Sequence, residues 1–149
     1  MSKEVYSPPP EIVFDAEPLV AHADDEPGSD KVDAYLNSVA DGVSTGYLNA
    51  VNATEVRYIL TRISDAETAD NYLAWLSDIG VERVNSDLIW SVASDYVIDY
   101  NPALGDAYAL ATAEYADGTL LVGADDDYDP VISDTTANVS IERFRTKPA

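Results

Sequence analysis

The chain has no cysteine, a single histidine and only three lysines, Lys3, Lys31 and Lys147, in 149 residues. The lack of cysteine excludes a disulfide scaffold and a thiolate metal site. The lone His22 follows an apolar stretch and has no serine or cysteine motif to serve, so a nucleophilic triad is unsupported and a packing or surface role is expected. No apolar run approaches the ~18–20 residues that cross a bilayer. The N-terminus, Met1-Ser2-Lys3-Glu4 leading to Pro8-Pro9-Pro10, carries no apolar signal core, so a cytoplasmic location without membrane contact is expected.

What is present in excess is acid. Twenty-eight Asp and Glu stand against 8 Lys and Arg, a formal net charge of −20, with 46% hydrophobic residues. That apolar fraction marks a folded chain, not an acidic disordered one. Acid spread along a periodic sequence resembles the halophilic, haloarchaeal type of surface, which carboxylates keep hydrated in molar salt. Such a charge opposes nucleic-acid binding in dilute buffer. In ~1 M salt the Debye length is about 3 Å, and the long-range repulsion is lost.

The length suits one domain. Residues 1–10 read as a proline-rich leader, 11–141 as the domain and 142–149 as a short basic tail with Arg143, Arg145 and Lys147. Ile12-Val13-Phe14 predicts a buried strand, 16–23 a brief helix, and Ser29 an N-cap for a helix with Val32, Tyr35, Leu36 and Val39 inward. A second strand is expected over 43–47. Helices follow over 49–63, with Val56, Ile59, Leu60 and Ile63 on one face, and over 66–79 up to Gly80. Strand 81–84, a helix capped by Asn85 or Ser86, a break at Asn101-Pro102, an alanine-rich helix over 105–116, and strands at 119–122 and 139–141 complete the pattern. Alternating strands and helices predict an α/β layered fold with a mainly parallel sheet.

Ligands in such sheets bind beyond the carboxyl ends of the strands. Asp15 ends the first strand and Asp125 follows the fourth. Each could be a mere turn former or cap. Glu55 lies on the shoulder of an apolar helix stripe, where a carboxylate is costly unless paired, with Arg57 or Arg62 for instance, or bound to metal. Asp106 stands in the first turn of the alanine-rich helix, where the dipole also favours an acid. Converging carboxylates repel unless a cation neutralises them, and an all-oxygen donor set suits Mg²⁺ or Mn²⁺. Such ions support phosphoryl chemistry.

The ordered set resembles the PIN domain, and within it the VapC-type toxins. The resemblance is carried by Val13-Phe14-Asp15-Ala16-Glu17-Pro18-Leu19, Asn52-Ala53-Thr54-Glu55-Val56, Leu104-Gly105-Asp106-Ala107-Tyr108-Ala109-Leu110-Ala111 and Leu121-Val122-Gly123-Ala124-Asp125-Asp126-Asp127-Tyr128. It implies a three-layer sandwich around a parallel sheet of about five strands, in an order unlike the Rossmann type. It implies a metal-dependent endoribonuclease that leaves a 5′-phosphate and a 3′-hydroxyl. It also implies Mg²⁺ or Mn²⁺ held by Asp15, Glu55, Asp106 and Asp125 with Asp127 as an additional acid, a homodimer, and a small antitoxin protein as partner. Asn52, one turn before Glu55, is expected to position water or phosphate, and Arg57 to contact RNA. One departure is Gly123, where the family often has Thr or Ser. The competing expectation is a non-catalytic PIN-like binding module. A phosphatase fits less well, since Asp15-Ala16-Glu17 lacks a second aspartate two residues on. Trp75 and Trp90 are expected in the core or at a dimer contact. The Asn52-Ala53-Thr54 and Asn138-Val139-Ser140 triplets carry little weight as glycosylation signals.

Overall fold

A computed structural model describes residues 5–147; the first four residues of the leader and the last two of the tail lie outside them. Five short strands, β1 (Glu11–Phe14), β2 (Thr45–Asn49), β3 (Val81–Val84), β4 (Thr119–Val122) and β5 (Ser140–Arg143), form one sheet in the order β3-β2-β1-β4-β5. Every pairing is parallel. The seven α-helices among the described residues are α1 (Ala16–Ala23), α2 (Ser29–Ala40), α3 (Ala50–Ile63), α4 (Ala66–Asp78), α5 (Trp90–Tyr100), α6 (Leu104–Ala116) and α7 (Asp129–Ser133). The α/β expectation holds.

The strand order corrects the one the resemblance implied. It matches the first five strands of the Rossmann order 3-2-1-4-5-6. The chain winds outward from β1 through α1–α4 to β2 and β3, then returns through α5 and α6 to place β4 on the other side of β1. The order therefore reverses between β1 and β4, which is where open α/β sheets bind ligands.

Period-two alternation divides the core. Ile12, Phe14 and Leu121 pack with α1–α4, whereas Val13, Leu120 and Val122 pack with α5, α6 and Tyr128. β1 and β4 are buried on both faces, which is why they read as continuous apolar runs. The small side chains Ala107, Ala109, Ala111 and Ala113 let α6 lie close within this second layer.

Boundaries moved where a turn residue outranked the apolar pattern. Ser29 is the first helical residue of α2, and left-handed Gly28 takes the cap, because Phe144 and Arg145 crowd the position where a side chain would stand. The second strand begins at Thr45, leaving Val43 exposed. Asn85 caps a single 3-10 turn, and α5 starts only at Trp90. The fifth strand is Ser140–Arg143, one residue later than the pattern at its start and two at its end. Neither tryptophan is in the core: Trp75 and Trp90 are 38% and 61% exposed. Trp75 stacks on His22, which also meets the Tyr72 hydroxyl and Asp33, the packing role expected of that histidine. No helix among the described residues is long and apolar enough to cross a membrane.

Candidate metal centre

β1 gives way at once to Asp15, whose side chain caps α1 by accepting from the Ala16 amide at 2.8 Å. The cap holds the carboxylate at the strand end, and only 5% of the residue remains exposed. Its second oxygen lies 2.9 Å from the Tyr128 hydroxyl, and that same hydroxyl lies 3.2 Å from Asp106 Oδ1. One phenolic proton thus serves two buried carboxylates. Burial pushes the Asp15 carboxyl up to about 7 against the Ala16 and Tyr128 hydrogen bonds that lower it.

Asp106 enters from the first turn of α6 and is 7% exposed. Its Oδ2 is buried without a hydrogen-bond partner among the described residues. Desolvation, then the neighbouring Asp15, Asp125 and Asp127, push its carboxyl up to about 9. An orphaned carboxylate oxygen is costly in a protein interior. Oxygens of Asp106, Asp125 and Asp127 all lie within 4.8 Å of one another. Asp125 follows β4 and accepts from the Asp127 amide at 2.9 Å, and this turn presents both acids together. Asp127 in turn accepts from the Ala103 amide at 2.8 Å, tying the turn to the start of α6 beside Asp106.

Glu55 reaches the same place from α3. Asn52, fully buried, donates to Glu55 Oε1 at 2.9 Å and to the Gly105 carbonyl at 3.0 Å, while its own Oδ1 has no partner among the described residues. A Cβ on Gly105 would collide with the Glu55 carboxylate, so the glycine before Asp106 opens the space that admits the glutamate. Burial and then Asp125 raise the Glu55 carboxyl above its usual range, with the Asn52 hydrogen bond opposing. The alternative offered for Glu55, a pairing with Arg57 or Arg62, does not occur. Arg57 binds Asp70 of α4 at 2.8 Å, and Arg62 lies over the Tyr58 ring.

The result is a cleft of about 280 Å³ lined by Asp15, Glu17, Glu55, Asp106, Asp125 and Arg145. Of the residues picked out in the sequence, Asp15, Asn52, Glu55, Asp106, Asp125 and Asp127 come together here. Arg57 does not: it points to the α3–α4 surface. Three participants were missed. Tyr128 had no signal beyond its place in the Asp125-Asp126-Asp127-Tyr128 run. Glu17, two residues after the strand-end Asp15, carries no signal of its own, and Arg145, expected in a tail, folds back onto Glu17 and Glu26 at 3.2 and 3.1 Å.

The donor set is all oxygen, one member buried and unpartnered, which fits a hard divalent ion. The sequence profile of the PIN domain matches residues 12–131. No curated protein matches the sequence significantly. Among solved structures, the chain is similar to VapBC2 from Rickettsia felis, bound to a DNA fragment from its promoter, with 12% identity, TM-score 0.65, and 89% of this chain and 98% of that one covered. It is also similar to FitAB bound to an IR36 DNA fragment, with 16% identity, TM-score 0.59 and coverage of 89% and 94%. At these identities the likeness is one of fold.

Proposed function

The chain belongs to the PIN-domain family, and from that membership we propose that it is a Mg²⁺- or Mn²⁺-dependent endoribonuclease, the toxin of a toxin–antitoxin pair. The observation that carries the metal reading is Asp106, buried with an orphaned oxygen beside Asp125 and Asp127. PIN domains are generally nucleases that use divalent metals, which supports the reading. So does the likeness to VapBC2 and FitAB, both DNA-bound assemblies, for an antitoxin partner; the homodimer is part of the proposal and rests on the family resemblance alone.

Asp106, Asp125 and Asp127 would hold the ion, with Asp15 and Glu55 on the same cleft. When bound, the ion would neutralise these acids, polarise the scissile phosphate and lower the pKa of a water. Tyr128 bridges Asp15 and Asp106 by sharing its proton between them. Glu55 stands outside the tight trio with its carboxyl raised, suited to take a proton from an attacking water. Asn52 fixes its rotamer through the amide group, which leaves the buried Oδ1 to accept from an ordered water.

A binding-module reading has one observation in its favour. The cations near the cleft are committed to acids: Arg143 to Asp129, Arg145 to Glu17 and Glu26, and Lys147 to Asp126. The two readings separate in one assay. Mixed tRNA and rRNA are incubated with Mn²⁺ in ~2 M KCl, where repulsion is screened, with wild type and Asp106→Asn side by side. Metal-dependent cutting by wild type alone is the expected result; equal background from both would leave the binding module.

A further inference from the structure

Two glycines open this cleft, and each admits one glutamate. Gly105 makes room for Glu55. Gly123 makes room for Glu17 in the same manner: a Cβ built there would coincide with the Glu17 carboxylate. The carboxylate occupying that notch is held on two sides. It accepts from the Ala124 amide at 3.2 Å and from Arg145 Nε at 3.2 Å. Arg145 is itself fixed, donating to the Pro27 carbonyl and to Glu26 and lying over the Phe144 ring.

Ala124 is the residue before Asp125, and the segment it belongs to is pinned from the other direction as well. Arg143 donates to the carbonyls of Gly123 and Asp125. The 123–125 segment thus has its carbonyls held by β5 and its amide held by α1. Those few bonds decide where the Asp125 carboxylate stands relative to Asp106 and Asp127.

We propose that Glu17 is a positioning residue of the metal centre, and that Gly123 exists to let it in. Residues 17 and 123 act as a coupled pair: Glu17 fixes the Asp125 segment by accepting from Ala124, and any side chain at 123 evicts it. The inference rests on the metal reading above, and it assigns Glu17 no contact with the ion. It accounts for a glutamate that burial alone would not favour in a cleft already crowded with acids.

The test is a double-substitution cycle on the full chain in ~2 M KCl, with Mn²⁺ affinity measured by titration calorimetry and the fold checked by melting. Loss of a supporting partner typically lowers metal affinity about 10–100-fold, and that is the drop expected for Gly123→Ala and for Glu17→Ala. Because both remove the same bond, the double variant should bind no more weakly than either single one. Additive losses would overturn the coupling. Glu17→Gln retains a carbonyl oxygen for the Ala124 amide and should bind nearly as wild type; a loss as deep as that of Glu17→Ala would show that charge, not positioning, is what matters. Hydrogen exchange at the Ala124 amide reads the pair without metal, and it should quicken in both alanine variants and stay slow in the glutamine one. If wild type takes up no Mn²⁺, the metal reading fails, while unchanged Ala124 exchange in the alanine variants would sink the coupling by itself.

Discussion

Among the described residues, two acid-rich hollows invite comparison, and tyrosine hydroxyls bond to carboxylates in both. One is the cleft at the carboxyl ends of β1 and β4. The other is a groove of about 450 Å³ lined by Asp95, Tyr96, Asp99, Tyr100, Glu114 and Asp134 along α5 and α6. In the groove each tyrosine serves one acid: Tyr96 donates to Glu114 at 2.8 Å and Tyr100 to Asp134 at 2.6 Å. Asp134 also accepts from Thr136, and its carboxyl is held below the usual range by these bonds. In the cleft one tyrosine serves two acids, one carboxylate oxygen is orphaned, and three carboxyls, those of Asp15, Glu55 and Asp106, are raised. The groove is the larger, yet Glu114 and Asp134 are met there by protein donors, and Asp95 and Asp99 are exposed to water. Acidity does not distinguish a candidate metal centre from a hydrated surface; unmet demand for positive charge does.

The sharpest way to break that comparison is to neutralise one acid in each place. Asp106→Asn should cost more Mn²⁺ affinity than the about 10–100-fold lost with a supporting partner, and should abolish the metal's effect on melting. In wild type, Mn²⁺ at about 100 times its Kd adds about 2.7 kcal/mol, a rise in Tm of roughly 5–10 °C. Asp134→Asn should leave both readings unchanged. If the two variants lose affinity alike, the orphaned oxygen is not what binds.

A second contrast is pH. Asp15 and Asp106 have folded-state values raised from 3.8 to about 7 and about 9. A raised carboxyl favours the folded state while it is protonated, and that contribution is lost as pH rises from the unfolded value through the folded one. Metal-free protein should therefore melt progressively lower between about pH 4 and 9, in molar salt that suppresses the net-charge term. Asp134 is lowered instead, so its contribution is lost only below that window. Added Mn²⁺ should remove most of the slope, and Asp15→Asn with Asp106→Asn should flatten it. A flat metal-free profile in wild type would mean that the cleft carboxyls are not strained.

Tyrosine removal is the next smaller effect. Tyr128→Phe keeps the buried ring but withdraws the one proton between Asp15 and Asp106, and should lower Mn²⁺ affinity by about 10-fold. Tyr96→Phe removes an equivalent bond in the groove and should not alter affinity. Equal behaviour would assign Tyr128 to packing alone.

These contrasts also mark what the sequence could reveal. Asp15 and Asp125 were legible because an apolar run that stops abruptly announces a strand end, and the parallel sheet then says which edge binds. Asp106 and Glu55 were legible only as a matched set, since a first-turn acid and a shoulder glutamate each have ordinary explanations. Most helices agree to within a residue or two, because their apolar stripes are long. Strand order did not follow from the pattern: four-residue strands buried on both faces carry no mark of their neighbours. Glu17 and Tyr128 stayed hidden for a related reason. Their roles depend on a missing side chain at Gly123 and on one hydroxyl reaching two acids, relations that span between 22 and 113 positions of the chain and that no local pattern encodes.

Arg57 is where the sequence reading and the structure part most plainly, and it gives the smallest expected effect. It stands two positions after Glu55, about 200° around a helix of 3.6 residues per turn, so the acid that faces the cleft sends the arginine to the opposite side. There it forms an exposed pair with Asp70, the kind of contact that contributes little. Arg57→Ala should leave Mn²⁺ affinity, melting and the cleavage rate at saturating RNA as in wild type. The informative quantity is KM measured across salt. If RNA is held only at the cleft, KM should follow wild type at every salt concentration. A KM that rises in the variant at low salt and converges with wild type near 2 M would place part of the RNA path over α3 and α4. The cleft would then be the end of a longer binding track and no longer the whole of the interface.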